Sequence, residues 1–535
     1  MTLLIPIGLL LTATLLVAVL HWVRPGFGLS WLGALGLAFL AWLALIFLGT
    51  RLPESWLPLA NDFPFQASTT LFLLDAISWP YAVMLTTLAV AVMLTEAART
   101  QYKFNPMSWS STMLMTAAGL VAVMAGNPFT LAIGWTAVDV VELAIMLSGA
   151  AEQRLSERIV VAFGVRVIGT LLMIFGMSIS RLPGDTFDLS LLSETGILFF
   201  ILACGLRLGI LPLHQPFSQE PRLRRGLGNM LRLVPPAAAL VCAARLPAST
   251  STLLSSGWIF WLSGLLGLAV VYGSVMWLSA KNELEGRPFW LIGWSGLAMI
   301  CILHGHPQAS LAWGAALLLP GSLLFLYSAR SVRLVLLPAL GFWAISGLPF
   351  SMTASGWAGV LDEGFSLWNI FMVVSVALFL TGYIRHVFRE EMAFSEVDRW
   401  AQAVYPAGLL LMALMPVYFL IWGWEGSAVL GSWWAGLTAV VLSVAVSWFF
   451  GRPNPQAETT LEATSHWAED LTSPLLERIA PFLRLDWFYS GLWSLYRGLR
   501  WLLNAWTRLL EGDGGVLWAM VLLALLVSII SGLSL

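Results

Sequence analysis

Long apolar runs separated by short polar stretches are the dominant pattern along the chain. They recur at approximately 2–22, 28–49, 71–96, 109–126, 128–150, 158–180, 195–216, 227–247, 255–279, 287–305, 309–329, 331–352, 366–387, 403–423, 428–450 and 515–534, which makes sixteen. Most are long enough to cross a hydrocarbon layer of ~30 Å as a helix, and none shows the ~10-residue alternation of a membrane β-barrel. The expected fold class is an all-α polytopic membrane protein. The first run lacks a basic leader and a small-residue cleavage site, so it reads as a retained span.

Charge placement orients these spans. With the N-terminus outside, sixteen Lys and Arg fall in inner loops, including Arg24, Arg99, Lys103, Arg154, Arg158 and Arg222, while the outer loops hold only Arg51, Arg181 and Arg245. Such a bias predicts both termini on the outer side, and a missed or invented span would have scrambled it.

Two spans are interrupted. The seventh carries Gly-Ile-Leu-Pro-Leu-His-Gln-Pro (Gly209 to Pro216), and the twelfth carries Ser-Gly-Leu-Pro-Phe-Ser-Met-Thr-Ala-Ser-Gly (Ser346 to Gly356). Proline removes a backbone donor, and irregular backbone at membrane depth survives only where protein or water satisfies it. Either break alone reads as an ordinary proline kink. If 109–247 and 255–387 are two five-helix units, however, each break falls on the fourth helix of its unit, and an odd helix count turns the second copy upside down, the pattern of inverted-repeat transporters. The remaining segments are then N-terminal helices in 1–108, two further spans in 403–450, an amphipathic helix in 474–512 and a last span in 515–535. In the amphipathic segment Arg497, Arg500, Asn504, Arg508 and Glu511 form one polar stripe opposite Leu499, Trp501, Leu502, Trp506 and Leu510. Asp486 to Glu511 would measure about 39 Å as a helix, lying along a membrane face either against neighbours or as a surface anchor.

Composition agrees with this architecture and narrows the chemistry. Of 535 residues 59% are hydrophobic and 10% charged, against about 25% charged in soluble proteins. No basic tract for nucleic acid is present, so nucleic-acid binding is set aside. Cys204, Cys242 and Cys301 have neither disulfide nor metal spacing and read as packing residues. No dinucleotide or iron–sulfur motif occurs, so no cofactor is expected and the chain is not a catalyst by itself.

Ionisable groups inside spans are rare and expensive, which makes them the functional candidates. Asp139 and Glu142 lie three apart in the fifth span, Arg166 in the sixth and Arg207 just before the break of the seventh. They form either an ion-translocation cluster or a static staple between helices. His214 follows Pro212 at the same break and is a candidate proton relay. His304 and His306 are read as interfacial, and Asp75 as the cap of the third span.

The sequence resembles, over most of its length, the large antiporter-like membrane subunits of respiratory complex I, the Mrp antiporters and the membrane-bound hydrogenases. The motifs are Phe72 to Ser78, similar to the family's Phe-x-x-Asp-Gly-Leu-Ser; Gly134-Trp135, similar to its Gly-Trp-Glu; Arg207 through His214, similar to its Lys-Ser-Ala-x-x-Pro-x-His; Ser346 to Trp357; and Leu485-Asp486-Trp487, which opens the lateral-helix segment. The resemblance implies proton or cation translocation through a fifth-helix glutamate and a seventh-helix lysine, coupled to redox chemistry in other subunits. It also implies partners among other membrane subunits, within the lipid bilayer of a prokaryotic inner membrane.

The chain departs from that pattern at each charged position. Thr136 aligns with the family's glutamate, Arg207 with its seventh-helix lysine and Val360 with its twelfth-helix lysine, and the whole chain holds only two lysines, Lys103 and Lys281. An arginine keeps its charge where a lysine can release a proton, so Arg207 holds a proton without handing it on. A carboxylate beside a fixed cation favours a fixed pair over a switching one. The expectation is a retained fold with pumping weakened, lost, or rerouted through Asp139, Glu142 and His214. Alternatives of the same fold are a non-transporting anchoring subunit and the membrane partner of an inorganic-carbon uptake complex.

Overall fold

The computed structural model describes residues 2–24, 30–56, 71–96, 106–149, 153–180, 192–215, 225–331, 333–362, 364, 366–389, 392–394, 397–424 and 426–450, together with 494, 497, 498 and 501. The chain divides into two compact units, residues 1–473 and 474–535. In the second unit Ser494, Arg497, Gly498 and Trp501 are helical and exposed. The rest of the expected lateral helix and the last span lie outside the described residues.

The first unit is built almost entirely of helices: α1 (Leu4–Val23), α2 (Ser30–Leu48), α3 (Ser78–Glu96), α4 (Pro106–Val123), α5 (Pro128–Gly149), α6 (Gln153–Ser180), α7 (Glu194–Leu208), α8 (Arg225–Ala244), the single-turn α9 (Thr250–Leu253), α10 (Ser256–Ser279), α11 (Glu283–Leu303), α12 (Pro307–Leu326), α13 (Leu336–Ile345), α14 (Leu367–Val387), α15 (Arg399–Trp422) and α16 (Trp433–Phe450). Eleven stretches among the described residues are long and apolar enough to span a membrane. A short antiparallel pair, β1 (Glu54–Trp56) with β2 (Phe72–Leu74), and a two-residue parallel pair, β3 (Ala329–Arg330) with β4 (Met392–Ala393), tie loops together.

Burial sorts the helices into two layers. Nearly every side chain of α3, α8, α11 and α12 is covered by protein, whereas α1, α2 and α6 keep most of theirs on the outside. The outer faces are apolar, as with Leu15, Val19, Phe47, Ile168 and Phe175, which suits contact with lipid rather than water.

Both interrupted spans end earlier than hydropathy places them. α7 stops at Leu208, where Gly209 adopts φ 75° and its N–H, with that of Ile210, turns back onto the Leu206 and Gly205 carbonyls. This is a glycine cap of the kind that terminates helices. The twelfth span is helical only over Leu336–Ile345 and resumes as a 3₁₀ turn, Ala354–Gly359. Between them Gly347 takes φ 67°. Thr353 Oγ1 accepts from the Gly347 N–H at 3.0 Å and donates to the Ala344 carbonyl at 3.0 Å, closing the break with side-chain bonds.

Tryptophans fill the interior beside this break. Trp277, Trp290, Trp294, Trp313 and Trp357 form a continuous series with successive ring centroids 4.9, 5.2, 5.6 and 5.3 Å apart. Four of the five indole N–H groups reach carbonyls: Trp313 to Gly356 at 3.0 Å, Trp357 to Gly347 at 3.3 Å, Trp290 to Leu317 at 3.1 Å and Trp277 to Phe379 at 3.2 Å. The irregular backbone is therefore satisfied by indole donors. The three cysteines are buried and free.

Candidate functional site

The site begins with the capping of α5. Asn127 Oδ1 accepts from the Thr130 N–H and hydroxyl, each at 2.8 Å, and Pro128 occupies the first turn. From that start the buried positions Leu131, Gly134, Trp135, Val138, Asp139, Glu142 and Met146 follow at helical spacing, so both carboxylates fall on the inward stripe. Gly134 lets α5 meet α4, since a Cβ there would stand 2.6 Å from Ala122 Cα.

α6 and α7 bring in the cations. Gly169 makes room for Arg207, whose Cγ would lie 2.9 Å from an added Cβ. Ser193 caps α7 by accepting from the Gly196 N–H at 3.2 Å, and Arg207 sits in its last turn, where a cation suits the carbonyl end of the helix.

Arg207 is fully buried and grips Asp139 with both terminal nitrogens, Nη1 to Oδ2 at 2.7 Å and Nη2 to Oδ1 at 2.9 Å. Nη1 also donates to the Thr170 hydroxyl and the Arg166 carbonyl, each at 3.2 Å, and the guanidinium lies 4.3 Å from the centre of the Trp135 ring. A forked, stacked arrangement of this kind uses geometry that lysine lacks. Arg166 bridges the two acids, with Nε 3.5 Å from Asp139 Oδ1 and Nη1 bonded to Glu142 Oε2. Arg232 of α8 approaches Glu142 Oε1 at 3.8 Å. Three guanidinium groups thus face two carboxylates, a formal charge of +1, in a site where none of the five residues is more than 5% exposed.

The structure therefore brings together Asp139, Glu142, Arg166 and Arg207, and leaves His214 apart. The His214 ring bonds through Nδ1 to the Pro212 carbonyl at 2.7 Å, and among the described residues it makes no hydrogen bond or ion pair with the cluster. Thr136, aligned with the family's glutamate, faces outward and donates to its own helix at the Ala132 carbonyl, 2.7 Å. It lines an apolar groove of about 500 Å³ between α5 and α6, with Phe129, Ile133, Thr170 and Ile174. The acids on the inward face of α5 are Asp139 and Glu142. Val360 is fully buried just beyond the 3₁₀ turn. His304 is half-buried between the Ser263 hydroxyl and the Gly359 carbonyl, each at 3.1 Å. Asp75 caps α3, with Oδ1 accepting from the Ser78 N–H at 2.7 Å and the Ile77 N–H at 3.1 Å.

Arg232 escaped the sequence reading. Its signal is present, an arginine five residues inside the eighth apolar run, close behind the loop arginines Arg222, Arg224 and Arg225.

The helices from α10 to α14 have a different interior. α10, α12 and α13 contain no Asp, Glu, Lys, Arg or His, and the ionisable groups of α11 and α14 stand at their ends, at Glu283, Glu285, Arg287, Arg385 and His386. Described side chains include no group of three or more His, Cys, Asp or Glu able to hold a metal ion.

No protein-family model and no curated sequence matches this chain. Solved structures do match it. A chain of the membrane-bound sulfane sulfur reductase, an archaeal respiratory membrane complex, superposes with TM-score 0.70 at 15% identity, covering 99% of this chain and all of that one. A chain of the Mrp complex from a Dietzia species gives TM-score 0.69 at 14% identity, covering all of this chain and 63% of the other. A chain of respiratory complex I from Thermus thermophilus gives 0.58 at 17%, covering 79% and 98%. The protein is a polytopic helical membrane protein with the antiporter-like fold of these complexes. At such identities the likeness is one of fold.

Proposed function

We propose that this chain is an antiporter-like membrane-arm subunit of a complex I-like assembly, with redox chemistry in its partner subunits, and that its own buried ion pair is held closed so that proton translocation through it is weakened or lost. The forked Arg207–Asp139 contact carries this reading. A switching pair needs a member that can neutralise, and a guanidinium does not. Arg166 supplies a second cation to the same carboxylate, so a relay through Asp139 would have to separate it from two fixed charges in a low-dielectric site.

The tryptophan-filled interior among α10 to α14 supports the same conclusion. A proton path needs titratable groups or water at short intervals, and the interior from Trp277 to Trp357 offers indoles, four of the five already committed to backbone carbonyls. A non-transporting or weakly transporting subunit fits this interior better than a full pump. In this reading 109–247 and 255–387 are the inverted repeats, both termini face outward, and residual proton movement is confined to the surroundings of Asp139 and Glu142.

Purification of the intact complex from native membranes tests the assembly role. Co-purifying quinone-reducing or hydrogenase-type subunits support it, whereas a chain that purifies with a soluble zinc protein belongs to an inorganic-carbon uptake complex instead.

A further inference from the structure

The groove between α5 and α6 presents hydrocarbon even where Thr136, Thr170 and Ser178 line it. Thr136 donates to the Ala132 carbonyl at 2.7 Å and Ser178 to the Ile174 carbonyl at 2.9 Å, each within its own helix. Thr170 donates to the Arg166 carbonyl at 3.3 Å and accepts from Arg207 Nη1 at 3.2 Å. With these hydroxyls committed, an occupant meets chiefly Phe129, Ile133 and Ile174. A polar ligand would give up its hydration against such a wall and gain little in return, whereas a hydrocarbon chain gives up none.

The groove has the length of half a bilayer. Its walls run from Pro128 to Thr136 on α5 and from Thr170 to Ser178 on α6, about 12 Å of helix on each side, against about 15 Å for one leaflet of a ~30 Å hydrocarbon layer. Pro128 opens α5 and Ser178 stands beside the end of α6 at Ser180, so one end of the groove lies at the helix termini and the other, at Thr136 and Thr170, well inside. A helix about 10–12 Å across, laid along the same 12 Å, would displace roughly twice the groove's volume of about 500 Å³. The groove is also continuous with the lipid-facing surface, where Val140, Ile168, Leu171 and Phe175 of the same two helices are half-exposed.

We propose that this groove binds one acyl chain of a membrane phospholipid, and that the bound chain seals the Arg207–Asp139 pair from water. Thr170 belongs to both places, since it lines the groove and its hydroxyl holds Arg207. Hydrocarbon against Thr170 keeps the surroundings of the guanidinium at low dielectric and so strengthens its attraction to Asp139. Water in the same place would weaken that attraction and compete for the Thr170 hydroxyl. The site stands whether or not the pair switches, so its failure and that of the closed-pair reading are distinguishable.

The purified complex, reconstituted in phosphatidylethanolamine and phosphatidylglycerol vesicles that contain a phospholipid with a diazirine on one acyl chain, gives the test. After irradiation, peptide mass spectrometry should find adducts concentrated at Ala132, Ile133 and Ile174. Ala132→Trp, which fills the groove from its outer side, should lose them while adducts at Ile168 and Leu171 remain. Adducts spread evenly over all these positions mark passing lipid, and a groove left unlabelled beside labelled neighbours marks cover by a protein partner; either overturns the proposal. Thermal unfolding tests the seal: stripping lipid should lower Tm in the wild type more than in Ala132→Trp, and an equal drop in both overturns it.

Discussion

Arg207 and Asp139 meet through two parallel hydrogen bonds, 2.7 and 2.9 Å, between the last turn of α7 and the middle of α5. Neither residue is more than 1% exposed. Removing one member of such a pair is worse than removing both, because a lone buried charge remains. Asp139→Asn is therefore expected to destabilise the subunit by about 3–5 kcal/mol, read as a lower unfolding midpoint of the complex in detergent. The double variant Asp139→Leu with Arg207→Met should recover part of that loss. An additive double variant would contradict the pairing.

Space for Arg207 depends on a glycine. An alanine Cβ at position 169 would stand 2.9 Å from Arg207 Cγ and 3.2 Å from the Ala203 carbonyl, whereas at Gly164 of the same helix it would meet nothing within 4 Å. Gly169→Ala should cost about 1–3 kcal/mol through overpacking. Gly164→Ala should be neutral or stabilise by up to about 1 kcal/mol through helix propensity. Unfolding midpoints of the two variants, measured side by side, give the comparison.

The indole series makes two separable contributions. Trp313→Phe keeps the ring and removes the donor to the Gly356 carbonyl, an expected loss of about 1–3 kcal/mol. Trp313→Ala also removes the packed ring and should lose about 3–5 kcal/mol. A Trp313→Phe variant that unfolds together with the wild type would show that the indole N–H does not support the break after α13.

Asp75 gives the fold an acid-sensitive corner. Burial pushes its carboxyl up, but the Arg245 guanidinium and the hydrogen bonds from Ser78 and Ile77 outweigh burial and hold it below the usual carboxylate range. Because the folded value is depressed, the stabilisation is present above the unfolded value of about 4 and is lost as pH falls through the folded one. Midpoints recorded from neutral pH downward should drop more steeply below roughly pH 4 in the wild type than in Asp75→Asn. Parallel profiles would remove Asp75 from the acid response.

Much of the fold was legible in hydropathy because a bilayer demands long apolar helices, and the charges inside them stood out for the same reason. Asp139, Glu142, Arg166 and Arg207 could be singled out by rarity and spacing alone. Helix ends were less legible: hydropathy carries the seventh run through Gly209 to Pro216, but a left-handed glycine stops α7 at Leu208. The two-residue Gly134-Trp135 motif could not say which face Thr136 takes, since it fixes neither register nor rotation.

Proton flux through the purified complex, reconstituted into vesicles and driven by an imposed pH gradient, tests the closed pair most directly. Little flux in the wild type, unchanged by Glu142→Gln and raised by Arg207→Lys, is the expected result. Robust wild-type flux that Glu142→Gln abolishes would contradict it.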